Sequence, residues 1–287
     1  MFAIYKRELK SYMTSMFGYV FMAVNLLFAG IYFNNINIQG GSPYFGYTLS
    51  YISFLFMFTI PLVTMRMIAD EKKQKTDQLL LTSPVTITRI VLGKYLAVVT
   101  VFAIPVLLYC VYPLIMGRFG SIPYKMTYSS ILAYFLIGCA FIAIGMFISS
   151  LTDSVVIAAF ISLVVFFFMY MEQTLASFIP KTAISSVIGY TIVIIAIVAI
   201  IYYMTSNAYI AGIVGIIAET ALLIIYMLKP VKLEGSISYL LNAFDITSGF
   251  ANFLNGIFDI KALIYYISII VICFTLTVQM LQKRRWS

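Results

Sequence analysis

Residues 69–80 read ADEKKQKTDQLL. The stretch from Arg66 to Asp77 holds Arg66, Asp70, Glu71, Lys72, Lys73, Lys75 and Asp77, in a chain with only 18 basic and 10 acidic residues. The chemistry open to such a cluster is limited by what accompanies it. The chain has no histidine, which removes His-based metal sites, HExxH proteases and Ser-His-Asp hydrolases. Cys110, Cys139 and Cys273 lie inside apolar runs without CxxC spacing and read as small buried hydrophobes. No metal ligand and no catalytic residue is assigned, so recognition remains. Mixed charge running into Leu79, Leu80 and Leu81 forms an apolar anchor inside a polar rim, as in a segment that seats in a partner's groove. On physical grounds alone, a solvated loop whose leucines pack on the protein's own inner face is an equal alternative.

Two carboxylates lie elsewhere in apolar surroundings. Glu219 sits near the middle of 208–228, where a charge costs roughly 2.5–3.5 kcal/mol on insertion scales, so it is a functional candidate by default. Its alternative is a protonated or hydrogen-bonded strut between helices. Glu172 falls near the outer end of an apolar run and is expected to reach water.

The elements that must position these groups are membrane helices. The chain is 63% hydrophobic and 10% charged, with a mean hydropathy of +1.04, whereas soluble domains carry about 25% charge. Spans need about 20 apolar residues, and the candidates are 17–33, 50–68, 89–116, 129–150, 154–172, 184–204, 208–228 and 261–281. The expectation is an all-α integral membrane protein of about eight transmembrane helices in one domain over 1–287. Pro61, Pro105 and Pro113 are candidate kinks. The run behind Lys6, Arg7 and Lys10 is long for a signal peptide and reads as an uncleaved first span. Twelve of the 18 basic residues fall on one side if both termini are cytoplasmic, the asymmetry of the positive-inside rule. Basic residues that flank apolar runs serve headgroups and topology, not nucleic acid.

Before the first span, over 1–15, Phe2, Tyr5, Leu9, Tyr12 and Met13 recur at helical spacing between Lys6, Arg7, Glu8 and Lys10. That pattern is an amphipathic helix in the inner interface, in contact with membrane lipid. The loop 229–260 is too polar to span and too apolar to be solvated. Phe244, Phe250 and Phe253 alternate there with Asp245 and Asp259, which fits two short helices dipping into the outer leaflet or a surface flap.

The motifs carry a resemblance. Glu8, Leu9, Tyr12, Ser15, Gly18, Tyr19, Val20 and Phe21 match an "E-L-x-x-Y…S-x-x-G-Y-V-F" element. Arg66, Ile68, Ala69, Glu71, Lys72, Lys73, Thr76, Leu79, Leu80, Leu81, Thr82 and Pro84 match "R-x-I-A-x-E-[KR]-[KR]-x-G-T-x-E-L-L-L-[TS]-x-P", and Val91 to Lys94 match the "V-L-G-K" run that follows. With FISSLT (147–152) and the stretch 255–286, these resemble ABC-2 type transporter permeases, close to the gliding-motility and nitrous-oxide-maturation group. There are departures. Lys75 stands where the pattern has glycine, Gln78 where it has glutamate, and Met16 where it has proline. Residues 184–228 look like a hairpin added to a six-helix core.

The resemblance implies a cytoplasmic coupling region at 69–88 that docks on a separate ATPase through Glu71, Lys72, Lys73, Lys75, Thr76, Gln78, Leu79, Leu80, Leu81 and Pro84. It implies an outer gate at 229–260, with Phe244, Asp245, Phe250, Phe253 and Asp259. Two copies of the cytosolic ATPase would carry the ATP and magnesium, and a second permease, identical or related, would complete an exporter in a bacterial cell membrane. The chain itself has no P-loop, since Gly93-Lys94 lacks both the earlier glycine and the following Ser or Thr. Other readings are an ATP-driven complex serving surface machinery without solute transport, and an ion-coupled secondary transporter using Glu219.

Overall fold

The computed structural model describes residues 1–76, 85–205, 208–228, 231, 233–242 and 245–286. These are helical, with no strand among the described residues. The chain divides into two compact units, Met1–Phe168 with Ile246–Ser287, and Met169–Asp245.

In the first unit, α1 (Phe2–Thr14) ends where Ser15 turns to extended backbone, and α2 (Met16–Tyr32) begins at once. The Ser15 hydroxyl accepts from the Gly18 N–H at 3.3 Å, a side-chain cap of the kind serine supplies best. Met16 is the first helical residue, a position that suits proline, which explains the proline of the resembled motif. Gly18 is required by contact. A Cβ there would lie 2.2 Å from the Tyr12 carbonyl oxygen.

α2 runs on into a π-helical segment, Phe33–Gln39. Then follow α3 (Phe45–Ser53), α4 (Phe56–Thr64), α5 (Ala69–Lys73), α6 (Ile87–Tyr109), α7 (Tyr112–Met116), α8 (Tyr124–Leu151), α9 (Val155–Phe178) and, after the second unit, α13 (Ser248–Leu254) and α14 (Ile260–Trp286).

Five helices among the described residues are long and apolar enough to cross a membrane: Met16–Gln39, Ile87–Met116, Tyr124–Leu151, Val155–Glu172 and Ile260–Arg284. A sixth is possible if Phe45–Ser53 and Phe56–Lys73, which meet at 58°, make one bent span. The bend replaces the straight second span expected over 50–68, and it falls at Phe54–Leu55, not at Pro61. Pro105 stays within α6, and Pro113 sits in the first turn of α7, where its missing N–H has no helical partner to lose.

α8 is the centre of this unit, 78% buried along its apolar window. It achieves this with small residues that let neighbours approach closely. A Cβ on Gly138 would lie 2.3 Å from the Phe102 ring, and one on Gly145 would lie 2.4 Å from Thr64 Oγ1. Around Gly138, Phe56, Phe102, Tyr134 and Phe141 pack with ring centroids 4.7–6.0 Å apart, within the range of favourable aromatic pairs.

The second unit contains the end of α9, α10 (Ala183–Thr205), α11 (Ala208–Leu228) and α12 (Ser236–Asn242). α10 and α11 pack together, and α12 lies on α10, where a Cβ on Gly189 would come within 2.6 Å of Ile237. Ile192, Ile195, Ile216 and Ile217 point outward, an apolar surface suited to lipid. Within this hairpin the apolar stretches Ala183–Ile195 and Gly212–Leu228 are parts of α10 and α11, helices of 23 and 21 residues, and the described residues give five or six candidate spans.

Two glycines separate contact from propensity. Gly138→Ala is expected to lower stability by about 1–3 kcal/mol through overpacking against Phe102. Gly30→Ala meets nothing within 4 Å and is expected to raise it by about 0.5–1 kcal/mol. Thermal unfolding of the two variants in detergent checks the opposite signs.

Candidate functional site

The charged stretch is held by its own chain before any partner is considered. Lys94, at the start of α6, keeps only 4% of its side chain exposed. Moving an ammonium out of water costs several kcal/mol unless carboxylates meet it in good geometry. Two do. Lys94 Nζ lies 2.8 Å from Glu71 Oε1 on α5 and 3.2 Å from Glu8 Oε1 on α1. The Arg7 guanidinium bridges the same two oxygens, at 2.6 Å from Glu8 and 3.0 Å from Glu71. Two cations and two carboxylates thus form a neutral square tying α1, α5 and α6 together.

α1 is also seated by shape and hydrogen bonding. Ile4 contacts the position of Gly93, the Tyr5 hydroxyl pairs with Thr100 at 3.0 Å, and Tyr12 donates to the Val63 carbonyl at 3.1 Å. Beside the square, Arg66 stacks 3.8 Å over the Phe17 ring. The square lines a cleft of about 350 Å³ with Tyr12, Ser15, Arg66 and Asp70.

The next residue turns the other way. Lys72 is buried and donates to the Ser150 carbonyl, and its Nζ lies 3.7 Å from Asp153. Asp153 pairs with Arg284 of α14 at 2.7 Å, and the Arg284 guanidinium holds its carboxyl below the usual carboxylate range. Ser149 completes the cradle. Its hydroxyl accepts from the Ile68 and Ala69 N–H groups at 3.2 and 3.1 Å and donates to the Met65 carbonyl at 3.1 Å. The start of α5 is therefore capped by α8 and not by its own sequence. Ser149, Ser150, Asp153, Arg284 and Lys94 were not selected as site residues from sequence. Their signal was faint: a lysine and an aspartate beside apolar runs, and the serines of FISSLT.

α5 ends in a Schellman turn. Lys75 N–H bonds to the Lys72 carbonyl at 3.1 Å and Thr76 N–H to Glu71 at 3.0 Å, with Lys75 at φ 58°. That left-handed position is the one where the resembled motif has glycine. The turn persists without the glycine, and Lys75 bears the strain. Lys73, Gln74, Lys75 and Thr76 are exposed. The structure thus divides the expected docking charges: Glu71 and Lys72 face inward, Lys73 and Lys75 outward. Gln78, Leu79, Leu80, Leu81 and Pro84 lie outside the described residues. On α1, Lys6, Arg7 and Lys10 are exposed while Glu8 turns in.

The residues expected at an outer gate fall on both units. Phe244 lies outside the described residues, and Asp245 is a buried residue of the second unit. Phe250 and Phe253 are buried in the first unit, where the Phe253 carbonyl accepts from Ser130 of α8 at 3.2 Å. Asp259 caps α14, accepting from Lys261 N–H at 2.8 Å and from Asn252 at 2.7 Å. Its carboxyl is held below the ordinary range, first by the Asn252 bond. Glu219 accepts from Thr191 across α10 and α11 at 2.8 Å, the geometry of an interhelical strut. Glu172, expected to reach water, is instead 5% exposed. Among the described residues no His, Cys, Asp and Glu group could hold a metal ion.

A family model described as ABC-2 family transporter protein matches residues 30–278. A search of curated proteins gave no match. The family match covers most of the chain, and the chain belongs to that family. It is a multi-pass membrane protein, a permease subunit of an ABC transporter, and it acts in transport without being itself catalytic.

Two variants test the joint. Lys94→Ala leaves two half-buried carboxylates with Arg7 alone and is expected to cost about 2–3 kcal/mol, read as a lower thermal midpoint. Lys75→Gly removes a left-handed penalty of roughly 1 kcal/mol and is expected to slow proteolysis of the 69–76 segment.

Proposed function

We propose that this permease works with a cytosolic ATPase that docks on the coupling region 69–88, and that the complex is an exporter. The observation that carries the reading is the opposed setting of adjacent residues. Glu71 is clamped to α1 and α6, while Lys72 is clamped to the α8–α9 connection and, through Asp153, to α14. A force on the exposed end of α5 therefore reaches four elements at once, as a joint driven from outside the membrane requires. ABC-2 permeases generally work with a cytosolic ATPase, which fits this layout.

In the proposed complex two ATPase copies bind ATP and magnesium and face two permeases, this chain with a second copy or a related one. ATP-driven closure of the ATPase pair shifts the population of permease states by acting on the coupling segments. Both termini are cytoplasmic and α10–α11 add the seventh and eighth crossings. Kinship with the gliding-motility and nitrous-oxide-maturation group, in a bacterial cell membrane, follows the resemblance of the 65–97 motifs.

The test is co-purification with the ATPase encoded beside this chain. Leu79→Asp with Leu80→Asp is expected to reduce the bound ATPase by more than about tenfold while the permease still inserts. Full retention in the double variant would overturn the docking surface.

A further inference from the structure

The cleft beside Lys94, about 350 Å³, holds Arg7, Lys94 and Arg66 against Glu8, Glu71 and Asp70, and its size is at the small end for a ligand site. Arg7, Lys94, Glu8 and Glu71 neutralise one another in the square. Arg66 and Asp70 remain. Arg66 rests on the Phe17 ring and Asp70 accepts from the Gln74 amide at 3.2 Å. Among the described residues neither has an ion pair. Their separation is built into the backbone. Ile68, between them, leaves helical geometry at φ −129°, where the Ser149 hydroxyl accepts from the Ile68 and Ala69 N–H groups. They therefore do not close on each other as residues four apart in one helix do. Both lie within electrostatic reach of the buried Tyr12 hydroxyl, which sets them around one point of the cleft.

The cleft also lies at the edge of the apolar helices. Ser15 and Phe17, which line it, flank the start of the candidate span Met16–Gln39, and Arg66 falls towards the end of Phe56–Lys73. Met16, between those two lining residues, is 78% exposed, and Tyr19 and Val20 continue an exposed apolar face. Acyl chains suit such a face while a polar group occupies the cleft.

We propose that this cleft binds a zwitterionic phosphoethanolamine group, with Arg66 on the phosphate and Asp70 on the primary ammonium. The charges follow from what the square leaves open, one cation and one carboxylate. A guanidinium presents five N–H donors in a plane that matches phosphate oxygens, and stacking on Phe17 positions it. A primary ammonium brings three donors to a carboxylate. A phosphate alone would meet Asp70 as a like charge, and an amine alone would meet Arg66 as one. A quaternary ammonium has no N–H to donate. The group is the headgroup of an ethanolamine phospholipid or a soluble molecule with the same ends. The inference does not depend on the ATPase docking surface.

The test is thermal unfolding of the purified intact chain in detergent at neutral pH. Phosphatidylethanolamine, phosphatidylcholine or phosphatidylglycerol of one acyl composition is added as a rising fraction of the micelle. The expected result is a saturable rise of about 3 °C with phosphatidylethanolamine, half-maximal at a fraction about tenfold lower than with either other lipid. Arg66→Gln and Asp70→Asn are each expected to abolish that preference. Asparagine keeps the acceptor for Gln74, so its effect reads the lost charge. Glycerophosphoethanolamine, added without lipid, separates the sources: a rise assigns a soluble ligand, and no rise assigns the anchored headgroup. An equal or stronger response to phosphatidylcholine or phosphatidylglycerol in the unmodified chain overturns the proposal. So does a preference retained in full by Arg66→Gln or by Asp70→Asn.

Discussion

The joint between α1, α5 and α6 depends on one buried ammonium. Lys94 sits almost wholly out of water at the start of α6, in surroundings where an unpaired charge is costly. Its two carboxylates come from opposite sides of the sequence, Glu8 on α1 and Glu71 on α5. Satisfying Lys94 therefore brings α1 and α5 onto the same spot. Arg7 balances the second negative charge, so the cluster is neutral and anchors α5 without a large local field.

The opposite face of α5 is held differently. Ser149 serves three backbone groups and Lys72 reaches a carbonyl of α8, so the segment is seated by bonds between two side chains and the backbone. α8 can supply them because it is the most buried of the five candidate spans, packed closely through Gly138 and Gly145. Packed cores tend to have discrete arrangements and do not deform continuously.

The second unit obeys another logic. Its exposed isoleucines suit lipid, while Thr191 and Glu219 bond between α10 and α11. Glu172, Ser186 and Ser238 are buried with oxygens that have no hydrogen-bond partner among the described residues. Polar atoms are retained in apolar surroundings when partners or ligands offset their desolvation. Among the described residues Glu219 has such a partner and Glu172 does not.

The sequence by itself determined the class of this protein. Composition and the length of apolar runs required membrane helices, the missing histidine removed whole reaction classes, and the motifs of 65–97 pointed to the ABC-2 family. These properties are local or additive, so one strand of text carries them. Tertiary structure decided the direction each charge faces. Glu71 and Lys72 are neighbours in sequence and turn to opposite partners 64 and 78 residues away, while Lys73 and Lys75 stay in water. Periodicity cannot settle this across a five-residue helix ended by a left-handed Lys75. The 58° bend near Leu55 was equally hidden, because it arises away from Pro61, the residue that marks a kink in sequence. The burial of Glu172, read from sequence as reaching water, depends on how elements pack and not on how far along a span the residue lies.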